Sequence, residues 1–300
     1  MKLFTAPLLT LFTLTASGLS LNALNIVTTS PDLAWTAKQV APAADISALA
    51  RGDQDPHQVE AKPSFILKLR KADVLMQVGM DLEIGYLPPL QEQARNPKIQ
   101  IGGAGFFNAA DYITPLDVPT GKVDRSLGDV HPFGNPHYQL DPENLARIGL
   151  ALAEKLAEID SAGAAGYRER AKALAIRLRA LRTELAAMFA SYKGRPLVVY
   201  HNALSYLTNF IGLRVVIFLE PLPGIPPSPA HIAKVVATMK LTGAKAIIVE
   251  NYFSRREADA VAEKTGGTVV VVPISVGGDA QSPDYEAMMR HLAALIKAAV

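Results

Sequence analysis

Two hydrophobic rhythms alternate along this chain. Short apolar runs bounded by turn residues predict buried strands, and stretches with apolar positions three and four apart predict helices. In the first half, strands are predicted at Asn25–Thr29, Asp45–Leu49, Ala72–Val78 and Ile99–Ile101. Helices are predicted from Asp32 to Val40, Ser64 to Arg70 and Leu87 to Arg95. Residues 102–140 carry several Gly and Pro with little periodicity, and irregular stretches of this length are usually functional. Asp141-Pro142-Glu143 then reads as a helix start: a capping acid, a proline in the first turn and a carboxylate near the positive helix end. Leu145, Ile148, Leu152, Leu156 and Ile159 continue it, Gly163 and Gly166 interrupt it, and Leu174 to Met188 resume it. Arg168, Lys172, Arg179 and Arg182 fall between as a solvated face. The alternation restarts with strands at Leu197–Tyr200, Arg214–Phe218, Ala246–Val249 and Thr268–Val272. Helices are predicted at Ala203–Phe210, Pro229–Thr242, Arg255–Thr265 and Asp284–Ala299. The expected fold is therefore α/β. It has two lobes, each a mainly parallel sheet flanked by helices, bridged by one long helix. The corresponding boundaries are 24–140, 141–194 for the link, and 195–300.

The first residues follow a different pattern. Lys2 is the only charge before residue 24, an apolar run from Leu3 to Leu14 follows, and then come Ala16, Ser17, Gly18, Ser20 and Ala23. This is the layout of a cleaved signal peptide over 1–23, and the run is too short to span a bilayer. Export to the periplasm is expected. With 30 basic and 28 acidic residues in the whole chain, charge gives no footprint for nucleic acid. The absence of cysteine excludes disulfides, thiolate metal sites and a lipid-anchoring cysteine. Apolar residues at 49% supply enough material for two cores.

The histidines carry the chemistry. Ligands of open parallel sheets bind beyond the carboxyl ends of the strands. His57 follows the second predicted strand, His137 the fourth, and His201 the first strand of the second half. His57 and His137 each stand behind a proline, in Asp55-Pro56-His57 and Asn135-Pro136-His137, which stiffens the backbone. If the halves face each other, the three imidazoles converge in the cleft. Three neutral imidazoles suit zinc better than Mg²⁺ or Ca²⁺. Affinity is expected to fall as pH drops through the ordinary histidine range near ~6.5. His231, near a helix start, reads as structural, and His291 as a surface residue. His131 lies six residues before His137, with its role open.

The frames around these histidines resemble one family. They are Asp55-Pro56-His57 with Lys62-Pro63-Ser64, Gly134-Asn135-Pro136-His137-Tyr138 with Leu140-Asp141-Pro142, Tyr200-His201-Asn202-Ala203, and Glu220-Pro221-Leu222-Pro223-Gly224. They are similar to the metal-binding solute-binding proteins of bacterial ABC transporters, the ZnuA/TroA-like zinc and manganese group, over about residues 24–300. The resemblance implies a metal site between two lobes, with His57, His137 and His201 as ligands. It implies delivery of the ion to a membrane permease, and three-histidine members typically bind zinc. Where relatives supply an acid as fourth ligand, this chain has Pro226, and the segment Pro273–Gly278 offers none. Glu220 is the leading candidate for that position, ahead of Asp279 and water. Asn135, Asn202 and the hydroxyls of Tyr138 and Tyr206 are candidates to fix the rings.

The expected protein is a monomeric binding protein and not an enzyme. Its partners are a divalent ion, most simply Zn²⁺, and a permease. Mn²⁺ or Fe²⁺ is the alternative within the same family. An exported zinc hydrolase would need an open coordination position, but the chain contains neither His-Glu-x-x-His nor Gly-x-Ser-x-Gly. A metal-storage or adhesion protein without a permease is the remaining alternative.

Overall fold

A computed structural model describes residues 23–121, 128 and 130–300. The expected signal peptide therefore lies outside the described residues, apart from Ala23. The first lobe contains β1 (Asn25–Thr28), α1 (Pro31–Val40), β2 (Asp45–Ala48), α2 (Pro63–Lys71), β3 (Val74–Gln77), α3 (Leu87–Ala94) and β4 (Phe106–Asn108). After α4 (Pro142–Ile159) and α5 (Ala164–Met188), the second lobe contains β5 (Pro196–Val199), α6 (Ser205–Ile211), β6 (Arg214–Phe218) and α7 (Pro229–Thr242). It ends with β7 (Ala246–Glu250), α8 (Arg256–Thr265), β8 (Thr268–Val272) and α9 (Tyr285–Ala299). The strand orders are β2-β1-β3-β4 and β6-β5-β7-β8, and every pairing is parallel. The two lobes thus share one topology, although no repeat is visible in their sequences.

Period-two alternation decides which layer each strand residue enters. Ile26, Val74 and Met76 face one core, while Val27 and Leu75 face a second core with Phe65, Leu69, Leu87 and Leu90. In the second lobe, Leu197, Val199 and Ile248 join the same inner core as Ile26, and Val198 and Ile247 pack outward on Val235 and Met239. The inner core is therefore continuous from lobe to lobe. Its continuity runs through Leu174, Leu178, Leu181 and Leu185 of α5, all essentially buried.

The segment expected as one linking helix is two. Asp160 to Gly163 break it, and α4 packs against α5. Helix α5, about 37 Å long at ~1.5 Å per residue, is the long bridge: it touches α1 in the first lobe and both α6 and α9 in the second. Several cations expected to be solvated pair with acids of α4. Arg168 meets Glu154, Arg179 meets Glu143, and Arg182 meets Asp141, the residue that caps α4. Rotating one lobe against the other would tear a shared core, so large hinge motion is disfavoured.

One strand is displaced from its expected position. Residues Pro97–Ile99 form a 3₁₀ turn, and the fourth strand is Phe106–Asn108. The chain must first turn through Gly103 and Gly105. A Cβ at Gly105 would come within 1.9 Å of the Asp73 carbonyl oxygen, so only glycine lets the backbones meet there. Ile101, expected inside, is exposed.

Candidate metal centre

The loops beyond β2, β4 and β5 bring His57, His137 and His201 together. One ring nitrogen from each lies within 4.8 Å of the other two. The Nε2 atoms of His137 and His201 are 3.2 Å apart. The ring centroids are separated by 5.1 to 5.3 Å. Tetrahedral ligands on a zinc ion, with Zn–N near 2.0–2.1 Å, stand about 3.4 Å from one another. The cluster is thus close to the spacing that one ion requires.

The local sequences explain the placement. Asp55 Oδ1 accepts a hydrogen bond from the His57 backbone N–H at 2.9 Å, and Asn135 Oδ1 accepts from that of His137 at 2.9 Å. Each Asx-Pro-His frame is therefore an Asx turn with proline at its centre, a local bond that competes successfully with regular structure. Asp55 Oδ1 also lies 2.8 Å from His57 Nδ1. Donation by Nδ1–H to this carboxylate leaves the Nε2 lone pair for a metal. Sequence reasoning missed Asp55 as a functional group, although its place two residues before the histidine is the signal.

Glu220 plays the matching part for His201, with Oε2 2.8 Å from Nδ1. Glu220, the candidate for fourth ligand, is thus placed against the far nitrogen of His201. A carboxylate held on Nδ1 lies across the ring from an ion at Nε2 and orients the imidazole instead of reaching the ion. Asp279, the other acid considered, faces His291 at 3.3 Å and accepts from the Ser282 hydroxyl at 2.6 Å. His231 contacts the Phe218 carbonyl at 3.0 Å, a structural bond.

His131 does reach the centre. Its Nε2 lies 3.1 Å from that of His57, and the Met80 backbone bonds to the side chain. Met80 itself has φ +56°, in a left-handed stretch from Gly79 to Asp81. Glu83 pins this stretch by accepting from the N–H groups of Val78 at 2.7 Å and Gly79 at 3.0 Å. Of the other polar candidates, Asn202 donates to the Asp117 carboxylate at 3.1 Å, and the remaining three reach backbone. Asn135 donates to the Asn202 carbonyl at 2.7 Å, the Tyr206 hydroxyl to the Asn135 carbonyl at 3.0 Å, and the Tyr138 hydroxyl to the Val78 carbonyl at 2.8 Å. They hold the His137 and His201 loops to one another and to the first sheet.

The electrostatics favour a cation. Burial pushes His137 well below the ordinary histidine range, and the neighbouring imidazoles push it further. Burial also lowers His201, with the Glu220 bond opposing in part. Burial and the charge of His57 carry His131 down to about 3. Burial acts to raise Asp55, but its bonds to His57 outweigh that and leave it below the usual carboxylate range. The result is a cluster of imidazoles, with His131, His137 and His201 held low, backed by the carboxylates of Asp55 and Glu220. Behind His201, burial raises the fully enclosed Glu250 carboxyl well above its usual value, and its Oε1 has no partner among the described residues. A cavity of about 190 Å³ opens on His137 and His201.

Comparison with known proteins places these features in a group. A family model described as the periplasmic component A of a zinc-uptake complex, ZnuA, matches residues 26–299. The chain is 30% identical over 162 residues to the high-affinity zinc uptake system protein ZnuA of Brucella abortus. That alignment covers 54% of this chain and 48% of the relative, so the chain spans about half the length of that relative. It is 26% identical over 270 residues to the iron-binding protein YfeA of Yersinia pestis, covering 87% of this chain and 81% of YfeA. A crystal structure of ZnuA superposes with a TM-score of 0.76 at 23% identity, over 93% of this chain and 99% of that one. That likeness bears on the fold.

Proposed function

Because the chain belongs to the periplasmic zinc-uptake component A family, we propose that it captures one divalent transition-metal ion and delivers it to an ABC-type importer. The observation that carries this reading is the convergence of three imidazoles from both lobes, two of them backed by carboxylates. The role is binding and transport, without catalysis. Working in the periplasm with a permease as partner fits this role.

His57, His137 and His201 supply three nitrogens through Nε2, and Asp55 and Glu220 balance the ion's charge from one layer out. His131, 3.1 Å from His57, is the candidate to complete a nitrogen set. Such a set suits zinc and iron more than manganese, which favours oxygen ligands. Zinc is the proposed cargo. An iron-binding role is the second reading, favoured by the likeness to a relative named for iron. Purified protein offered equal zinc, manganese and ferrous iron is expected to retain one zinc per chain. Retention of manganese or iron instead would keep the transport reading and overturn the ion.

The pH response follows from the burial of the site. Protons compete with metal only where an imidazole can be protonated. Burial lowers His137 and His201, which moves this competition towards acid. Zinc affinity is therefore expected to be lost at a lower pH than exposed imidazoles, which titrate near ~6.5, would give. The metal-free fold follows the same sign. Groups lowered on folding contribute stability above their unfolded value, and it is lost as pH falls towards the folded one. Competition titrations at several pH values check this. A steep loss of affinity centred at the ordinary histidine value would contradict it.

A further inference from the structure

Behind the histidines the lobes meet along a seam that metal coordination does not use. Asp32, in the first turn of α1, is 2% exposed. Its Oδ1 accepts from the Val276 backbone N–H at 3.1 Å, and its Oδ2 accepts from the Ser275 hydroxyl. Both donors belong to the loop leaving β8 in the other lobe. The positive end of α1 favours a carboxylate here. Burial pushes this carboxyl up to about 6, so at neutral pH it is ionised and acts only as an acceptor.

The same loop bears on both histidine loops of the first lobe. Gly52, five residues before His57, meets Val276 so closely that a Cβ would come within 2.0 Å of the Val276 carbonyl oxygen. Gln139, two residues after His137, donates to the Ile274 carbonyl at 3.3 Å, and the Tyr285 hydroxyl donates to the Gln139 carbonyl at 2.5 Å. Ile274 and Val276 of this loop also pack on the inner core. A cavity of about 30 Å³ lies in the seam, lined by Asp32, Gly52, Pro56, His137, Tyr252 and Ser275. The polar bonds of Asp32 and Gln139 cross the seam beside it.

We infer that Asp32 is a positioning residue for the metal site: by clamping Ser275 and Val276 it fixes the His57 and His137 loops against His201, and so sets how slowly the ion leaves. The inference rests on the metal-binding reading above. It is tested on purified protein loaded with zinc, by following zinc loss to excess chelator. The visible spectrum of the cobalt-loaded form and the melting of the metal-free form are measured beside it. Asp32→Ala and Ser275→Ala are expected to release zinc about tenfold faster or more and to alter the cobalt spectrum. Ser275→Thr, which keeps the hydroxyl, is expected to restore the wild-type rate. Should Asp32→Ala fail to fold, Ser275→Ala carries the test. Release within about twofold of wild type in the folded variants would overturn the inference alone. So would faster release with an unchanged cobalt spectrum and a matching loss of metal-free stability, since that is general loosening. Wild-type protein that takes up neither zinc nor cobalt would overturn the metal reading itself, and this inference with it.

Discussion

His137→Ala abolishes tight zinc binding while the metal-free protein remains folded: this is the largest effect expected of any single substitution at the centre. His137 is 2% exposed and its Nε2 lies 3.2 Å from that of His201, so the variant removes a donor from the middle of the cluster. Losing a group that only orients a ligand costs about 10–100-fold in affinity, and losing the ligand itself should cost at least about a hundredfold. The fold should tolerate the change. The Asx turn at 135–137 uses the His137 backbone N–H, which alanine retains. Burial and crowding oppose charge on this ring, so truncation also removes a group that resists protonation in acid. Thermal melting with and without zinc reads both effects together. At a thousandfold excess over Kd, zinc should stabilise the wild type by about 4 kcal/mol. At that zinc concentration the variant should keep no more than about 1.4 kcal/mol of it, with near-normal melting in the absence of metal. An undiminished zinc shift in the variant would remove His137 from the site.

Glu220→Ala is expected to weaken zinc by about 10–100-fold without abolishing binding. The carboxylate contacts the far nitrogen of His201, so alanine leaves every imidazole in place but releases one ring from its tautomer and orientation. It also removes one of two negative charges that balance the ion. Glu220→Gln separates these roles, because the amide oxygen still accepts from Nδ1–H but carries no charge. Loss in the glutamine variant should therefore lie between wild type and alanine. Competition titration against a zinc chelator measures all three proteins. Complete loss of zinc in Glu220→Ala would return the residue to the coordination sphere. No change in either variant would deny it any part in the site.

The legible and illegible parts of this protein divide by the range of the interactions. Strand and helix periods, the capping Asp141 and the Asx-Pro-His frames are local, and the chain declares them within a few residues. They suffice to place three histidines at carboxyl edges of parallel strands. The fourth strand was misplaced because Ile99–Ile101 is as apolar as a strand should be, while the Gly103 and Gly105 approach that delays pairing depends on Lys98 and Asp73 backbone. Glu220 is legible as a cleft acid, but its contact with Nδ1 of His201 is not. Whether a carboxylate meets an ion or the back of a ring is decided by a few ångströms between β5 and β6. His131 stayed ambiguous for a similar reason, since only the folded loop brings it to His57, 74 residues away. The Asp32 contact, across 243 residues, leaves no local trace.

Anomalous scattering at the zinc edge, from crystals of the zinc-loaded protein, locates the ion itself. One strong peak is expected between the lobes, at about 2.0–2.1 Å from Nε2 of His57, His137 and His201. Glu220 should remain on Nδ1 of His201, away from the ion. A peak bound by other residues, or one with fewer than three of these imidazoles within bonding distance, would contradict this placement of the ion.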